Sequence, residues 1–274
     1  MSRGAGVWRW AGYAFVGVLL VATIVPFLYM ISTSLMDELE VMRFPPPLLP
    51  ERPRFENYPA ALTALPFGRF FANAAIVAGV VVVGQVLTSA AAAYAFARLR
   101  FPGRERVFLA FLSVLMIPAT TVVVPRFLVI QALGWTDSYA GLIATEMVSV
   151  WGIFLLRQSF ITLPHDLEDA ARLDGASEWT IFWHVMLPLS KPALAAVAVF
   201  AFAEQWKSLL WPLVATRSIE MRVVEVGLAS LPGIYPGNWP YQMAAAVSAM
   251  VPLLLVFVVA QRYFVRGLAP AEWQ

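Results

Sequence analysis

Six stretches of this chain each stay apolar for about the 20 residues that a helix needs to cross a bilayer. They are Ala11–Ile31, Phe70–Phe96, Val107–Leu128, Tyr139–Phe160, Ala193–Val214 and Met243–Phe264. A backbone N–H or C=O in hydrocarbon finds no water, so each stretch must satisfy its own groups and is predicted to be a helix. Composition agrees: 60% of the 274 residues are hydrophobic and 13% charged, against about 45–50% and about 25% in soluble domains. The expectation is an all-α membrane protein, a single transmembrane domain over residues 1–274 with six transmembrane helices.

Arg3 and Arg9 precede the first stretch as in a secretory signal. Its apolar core is too long for that role, and "STSLM" supplies no small-x-small cleavage site, so it is predicted to remain as the first span. With the N-terminus in the cytoplasm, the arginines of "ARLRFPGRER" fall inside, together with Arg157, Arg172, Lys191, Arg262 and Arg266. Fewer positive residues then fall outside: Arg43, Arg52, Arg54, Arg69, Arg217 and Arg222. The positive-inside rule favours this orientation. Residues 32–69 and 215–242 become external segments. The prolines of "RFPPPLLPERPRFENYP" forbid a regular helix through the middle of the first, and "LPGIYPGNWP" makes the second turn-rich.

The cytoplasmic loop 161–192 contains "EDAARLDGASEWTIFWHVMLP", which is polar yet patterned. Asp166 is placed to cap a helix whose first turn carries Glu168 and Asp169. Glu168 and Arg172 are spaced to pair across one turn, with Leu163, Leu167, Ala170 and Ala171 on the opposite face. Gly175 ends this helix, because a turn at positive φ suits glycine. Ser177 caps a second helix, apolar through Trp179, Phe182, Val185, Met186 and Leu189 and ended by Pro188. The helix–turn–helix fits two readings, an amphipathic connector on the membrane surface or a docking element whose small face at Ala170 and Ala171 admits another backbone.

The sequence offers no catalytic constellation and no metal-ligand set. Without cysteine there is no disulfide, thiolate zinc site or thiol nucleophile. His165 and His184 are too far apart for an HExxH pair, and no GxSxG motif supports an intramembrane enzyme. Neither Lys191 nor Lys207 follows the glycine of a phosphate-cradling loop, so any ATP hydrolysis belongs to a partner chain. A secondary transporter or channel working without an ATPase is the alternative, and neither an inverted repeat nor a proton relay is evident for it.

Ionisable groups at membrane depth are costly and face a cavity or a partner. Arg126, near the outer end of span three, is expected to snorkel; Glu146 is expected to line the pathway or pair with another helix. In "FAEQWKSLLWP" of span five, Glu204 can pair with Lys207, while Glu204, Ser208 and Trp211 share one face. A carboxylate, a hydroxyl and an indole suit a sugar; a structural ion pair at a subunit interface is the other reading. Asn73 and Gln85 are expected to bond between helices, Gly79 and Gly84 to allow close packing, and Pro118, Pro125 and Pro252 to kink their spans.

"EDAARLDGA…LPLSKPAL" resembles the EAA motif of binding-protein-dependent ABC importers, EAA-x(3)-G-x(9)-I-x-LP. Aligned on Glu168, the resemblance places Asp169 at the first alanine, with Ala170, Gly175 and Leu187-Pro188 matching and Val185 for isoleucine. "FENYPAAL", "FGRFFANAAIVAG", "AAAYAFARLRFPGR", "MIPAT" and "QRYFVRGL" extend it along nearly the whole chain, toward the shorter, second permease of maltose-type carbohydrate importers. The resemblance implies the type I ABC importer permease fold, with the helix–turn–helix as a coupling helix. Glu168, Asp169, Ala170, Ala171, Leu173, Asp174 and Gly175 would then contact a cytoplasmic ATPase. It also implies a second permease subunit, two ATPase copies that bind ATP and Mg, an extracytoplasmic solute-binding protein, and no cofactor in this chain. The location implied is the bacterial cytoplasmic (inner) membrane, with both termini inside. The solute would be a sugar, an oligosaccharide or a glycerol-phosphate-like compound. Span five departs from the family's "W-N-x-(F/L)-L-W-P" pattern at Lys207, and the tail "RGLAPAEWQ" departs from its Gly- and Lys-bearing ending.

Overall fold

The computed structural model describes the backbone of residues 3–268 and the side chains of residues 9–262 other than Ala11. The side chains of Arg3 and Arg266, and most of the tail, lie outside the described residues. Every regular element among the described residues is helical. In chain order they are α1 (Arg3–Ser34), α2 (Glu38–Val41), α3 (Asn57–Ala64), α4 (Phe67–Ala97), α5 (Arg104–Ser113), α6 (Val123–Ala132), α7 (Tyr139–Ile143) and α8 (Val150–Thr162). There follow α9 (Asp166–Leu173), α10 (Glu178–Ile181), α11 (Leu187–Leu189), α12 (Lys191–Trp206), α13 (Leu210–Ala215), α14 (Val224–Ile234) and α15 (Trp239–Leu268).

Three helices are long and apolar enough to cross a membrane alone: Gly12–Ser34, Phe67–Ala97 and Trp239–Arg262. Counting each bent helix pair as one span brings the total to six. Span three is not the single helix expected over 107–128: its halves, Arg104–Met116 and Ala119–Ala132, meet at 94°. Pro118 stands in the break, where its ring and missing N–H stop the first half from continuing. Pro125 falls in the first turn of α6, where proline is tolerated, and makes no kink. Span four bends by 42° between Tyr139–Glu146 and Val150–Thr162. Span five stops at Trp206 rather than running to Val214, and helix resumes only at Leu210. Pro212 lacks the N–H that would bond the Ser208 carbonyl, so the two pieces cannot fuse. The segment 215–242, expected to be turn-rich, contains α14; its turn comes later, at residues 235–238.

The described residues form two compact units: those up to Gly68 with Gly227–Val251, and Arg69–Val226 with those from Pro252 on. In the first unit, the proline-rich segment 42–56 is irregular and is held by buried polar groups. Asn57 donates to Ser34 O and Met36 O, both at 2.9 Å. Buried Glu40 closes a capping box with Asp37 and accepts from Glu51 N at 2.7 Å.

The second unit is built around α4. Its C-terminal half contributes Ala90, Ala93 and Tyr94 to a core with Leu156, Phe160, Ile181, Phe182, Met186 and Val197. Its N-terminal half contributes Val77 and Val81 to another with Ile130, Leu142, Trp211 and Ala215. Small residues set the approach of the helices. A Cβ on Gly152 of α8 would lie 2.7 Å from Ser89 Oγ and 3.3 Å from Val197 Cγ1. Gly84 packs against Met147, whereas the space at Gly79 is open.

Candidate functional site

The helix–turn–helix between spans four and five forms as the sequence predicts, with two differences. Asp166 is the first helical residue and not the cap; His165 takes that position without a side-chain bond. Pro188 does not end the second helix, which passes through a π-helical stretch, Phe182–Met186, and continues to Leu189. The wider turn gives room where Pro188 would clash with the carbonyl four residues back. The path then bends by 79° into α12. Between the two helices, Gly175 has φ +84°, and a Schellman pair closes α9: Ala176 N donates to Ala171 O at 2.9 Å and Gly175 N to Arg172 O at 3.0 Å. Ser177 accepts from Thr180 N at 3.2 Å, capping α10.

The faces of α9 are not distributed as its apolar residues suggest. Glu168 is the buried residue of the helix, 1% exposed, and Ala171 packs inward beside it. Leu167 is exposed, and Leu173 stands 89% clear of the protein. Asp169, Ala170, Asp174 and Gly175 are also exposed. Of the residues expected to meet an ATPase, Glu168 and Ala171 therefore face this chain's own body.

A network of charges explains the inward turn of Glu168. Its Oε1 lies 2.8 Å from Nε of Arg98, and each side chain is 1% exposed. Arg98 follows the last residue of α4 and donates through Nη2 to Phe160 O at 2.7 Å and Leu163 O at 2.6 Å. Its Nη1 faces the His165 ring at 2.9 Å. One guanidinium thus bonds two carbonyls at the C-terminal end of α8 and sets its charge against the buried carboxylate of α9, an ion pair without hydrogen-bond alignment between Nε and Oε1. A second layer covers the first. Arg172 bonds Glu168 at 3.3 Å, Asp169 at 3.0 Å and Glu178 at 2.9 Å. Tyr94 of α4 donates to Glu178 at 2.5 Å. The hydrogen bond from Arg172, then that from Tyr94, holds the Glu178 carboxyl below the usual carboxylate range. The Glu178 bond raises the Arg172 guanidinium in turn. Arg98 and Tyr94 carry no special signal in the sequence, since their partners lie far along the chain.

Within the spans the polar residues gather differently from expectation. Arg126 does not snorkel; it pairs with Glu146, donates to Thr145 Oγ1 at 2.7 Å and lies over the Trp211 ring at 4.0 Å. Gln205 donates to the other Glu146 oxygen at 3.1 Å. The bend in span four frees backbone carbonyls, and a polar run on α4 satisfies them. Gln85 donates to Glu146 O at 2.8 Å, Thr88 to Met147 O at 2.8 Å and Ser89 to Ser149 O at 3.3 Å. Trp211 is buried and donates to Leu142 O at 3.3 Å, so it does not share an open face with Glu204 and Ser208. Glu204 and Lys207 make no ion pair among the described residues, and both are exposed. Asn73 is bonded as expected, to Glu220 O and Arg222 O at 2.8 Å each and to the Tyr139 hydroxyl at 2.7 Å. Asp137, which the sequence did not single out, accepts from Arg217 N at 2.9 Å and from Ser218 N and Oγ at 3.0 Å. These bonds, led by that from Arg217 N, lower its carboxyl below the ordinary range.

Counting back from Gly175 corrects the register of the motif. The three-residue spacer is Arg172, Leu173 and Asp174, so EAA falls on Asp169-Ala170-Ala171, with aspartate for glutamate. Exposed Asp169 is the motif's acid, and buried Glu168 precedes it.

Comparison with known proteins bears on the family and the fold. A family model described as "Binding-protein-dependent transport system inner membrane component" matches residues 84–270. The chain is 35% identical over 266 residues to the sn-glycerol-3-phosphate transport system permease protein UgpE of Rhizobium meliloti (strain 1021), covering 94% of each. It is 34% identical over 265 residues to that of Yersinia enterocolitica serotype O:8, again covering 94% of each. Among solved structures it resembles a chain of a bacterial ABC transporter involved in the import of the acidic polysaccharide alginate. The TM-score is 0.83 at 25% identity, over 96% of this chain and 99% of that one. With this match over more than half its length, the chain belongs to the family of binding-protein-dependent transport system inner membrane components.

Proposed function

We propose that this subunit forms half of the translocation pathway of an ATP-driven importer and docks on a cytoplasmic ATPase through the outward face of α9. The observation that carries the reading is the exposure of Leu173, at 89%, on a helix whose opposite face is buried and ion-paired. An isolated leucine costs little in water, but one presented beside Leu167, Ala170 and the Gly175 turn on a braced helix suits a groove in a partner. Asp169 and Asp174 add charge at the rim.

The chain has no phosphate-binding loop of its own, so ATP and Mg are held by two copies of the partner ATPase. A second permease of similar fold supplies the other half of the pathway, and an extracytoplasmic binding protein delivers the solute. Both termini lie in the cytoplasm, as the arginine distribution favours. The solute is a carbohydrate or a glycerol-phosphate-like compound, the class that the names of the relatives point to. Glu204, exposed in α12, and Lys207, exposed in the break that follows it, face the pathway or the second permease, because neither charge is stable against lipid. Ser208 is half-buried beside them.

Proteoliposomes holding both permeases and the ATPase test the reading. Uptake of solute presented by the binding protein should require internal ATP. Uptake that persists without the ATPase would favour the secondary transporter.

A further inference from the structure

We propose that Arg98 is the positioning residue through which displacement of the docking helix reaches the membrane spans, with Glu168 as its partner and not as a contact for the ATPase. This rests on the reading of α9 as the docking element and assigns the residue that makes docking effective.

A lever is useful only if its inner end is fixed to what it must move. The outer face of α9 is exposed, whereas buried Glu168 on its inner face is tied through Arg98 to two spans. Arg98 belongs to the end of α4, its Nη2 holds Phe160 O and Leu163 O at the end of α8, and its Nε holds Glu168 of α9. Both side chains of the pair are 1% exposed, so water does not compete for the contact. The extended planar guanidinium lets Nη2 bond both carbonyls while Nε lies against the carboxylate as an ion pair, which a compact ammonium cannot reproduce. The Tyr94–Glu178–Arg172 chain ties α10 and α9 to the same helix, α4, by a second route. Displacing α9 while α4 and α8 stay still would separate a buried cation from a buried anion. The three move together instead.

The test uses the assembled complex in proteoliposomes, with four readouts: co-purification of the ATPase, ATP hydrolysis, solute uptake, and ATP hydrolysed per solute imported. Arg98→Lys and Glu168→Gln are the conservative variants, and Arg98→Glu with Glu168→Arg is the swap. The proposal predicts that both conservative variants still bring down the ATPase, while ATP spent per solute rises about tenfold. It also predicts that the swap, which restores the pair but not the carbonyl contacts, recovers part of the loss relative to Arg98→Glu alone. An unchanged ratio in a fully assembled Arg98→Lys complex would overturn it. So would loss of ATPase binding in Glu168→Gln with the ratio intact, which would make Glu168 a docking contact after all. Should the single substitutions prevent folding, swap and Arg98→Glu complexes that are equally unassembled would also count against it. ATP-independent uptake by the unsubstituted complex would instead overturn the docking reading itself.

Discussion

The in-span cluster around Arg126 and Glu146 makes a quantitative prediction. Glu146→Leu leaves the Arg126 guanidinium inside the span without its carboxylate and removes the bond from Gln205. Breaking a fully buried pair from one side costs about 3–5 kcal/mol. Here the side chains are 23% and 21% exposed, so screening moves the expectation below that range. Arg126 also keeps the Trp211 ring, a cation–π contact worth about 1 kcal/mol. Gln85 keeps its partner, because it bonds the backbone carbonyl of Glu146. The net expectation is about 2.5 kcal/mol for Glu146→Leu and a similar loss for Arg126→Leu. The double variant carries no orphaned charge and should lose about 2 kcal/mol, giving a coupling of about 3 kcal/mol. Reversible unfolding by SDS titration in mixed micelles, read by tryptophan fluorescence on all four proteins, measures the cycle. A coupling below about 0.5 kcal/mol would refute the reasoning and return Arg126 to an interfacial role.

Gly175→Ala should cost about 1–2 kcal/mol from the backbone alone, since φ is +84° and no atom lies near the added Cβ; hydrogen exchange at residues 170–178 reads the loosened turn. Gly152→Ala forces a methyl to 2.7 Å from Ser89 Oγ and should cost about 1–3 kcal/mol, with Ser89→Ala recovering part of it in the same SDS titration. The folded-state pKa of Glu178 is depressed, so its contribution is complete above the unfolded carboxylate value of about 4.3 and is lost as pH falls through the folded value. Exchange protection of α9 and α10 should therefore be flat from about pH 5 to 8 and decline in more acidic buffer, and Glu178→Gln should remove the decline.

What the sequence disclosed was local. Gly175 and Ser177 announce the turn and the second cap because the bonds they make lie within a few residues. The i,i+4 pair of Glu168 and Arg172 was visible for the same reason. The burial of Glu168 was not, because it depends on Arg98, which looked like one more positive charge of the cytoplasmic loop. Arg126 was read as snorkelling because Glu146 is 20 positions away and the bend that aims it inward lies elsewhere in the chain. Hydropathy finds the spans and Pro118 announces the break in span three, but the break at Met147–Ser149, where hydrogen bonds from α4 replace those within a helix, and the one at Lys207–Leu209 are not visible in it. Glu204, Ser208 and Trp211 would share a face only on an unbroken span five, which the break excludes.

The docking claim is tested most directly by the accessibility of Leu173. The chain contains no cysteine, so Leu173→Cys provides a single thiol. The account predicts rapid reaction with a membrane-impermeant maleimide applied to the cytoplasmic side of the permease pair alone. It predicts strong protection once the ATPase is bound, and loss of ATP-driven uptake when the thiol is modified before assembly. Equal labelling with and without the ATPase in a transport-competent complex would contradict it.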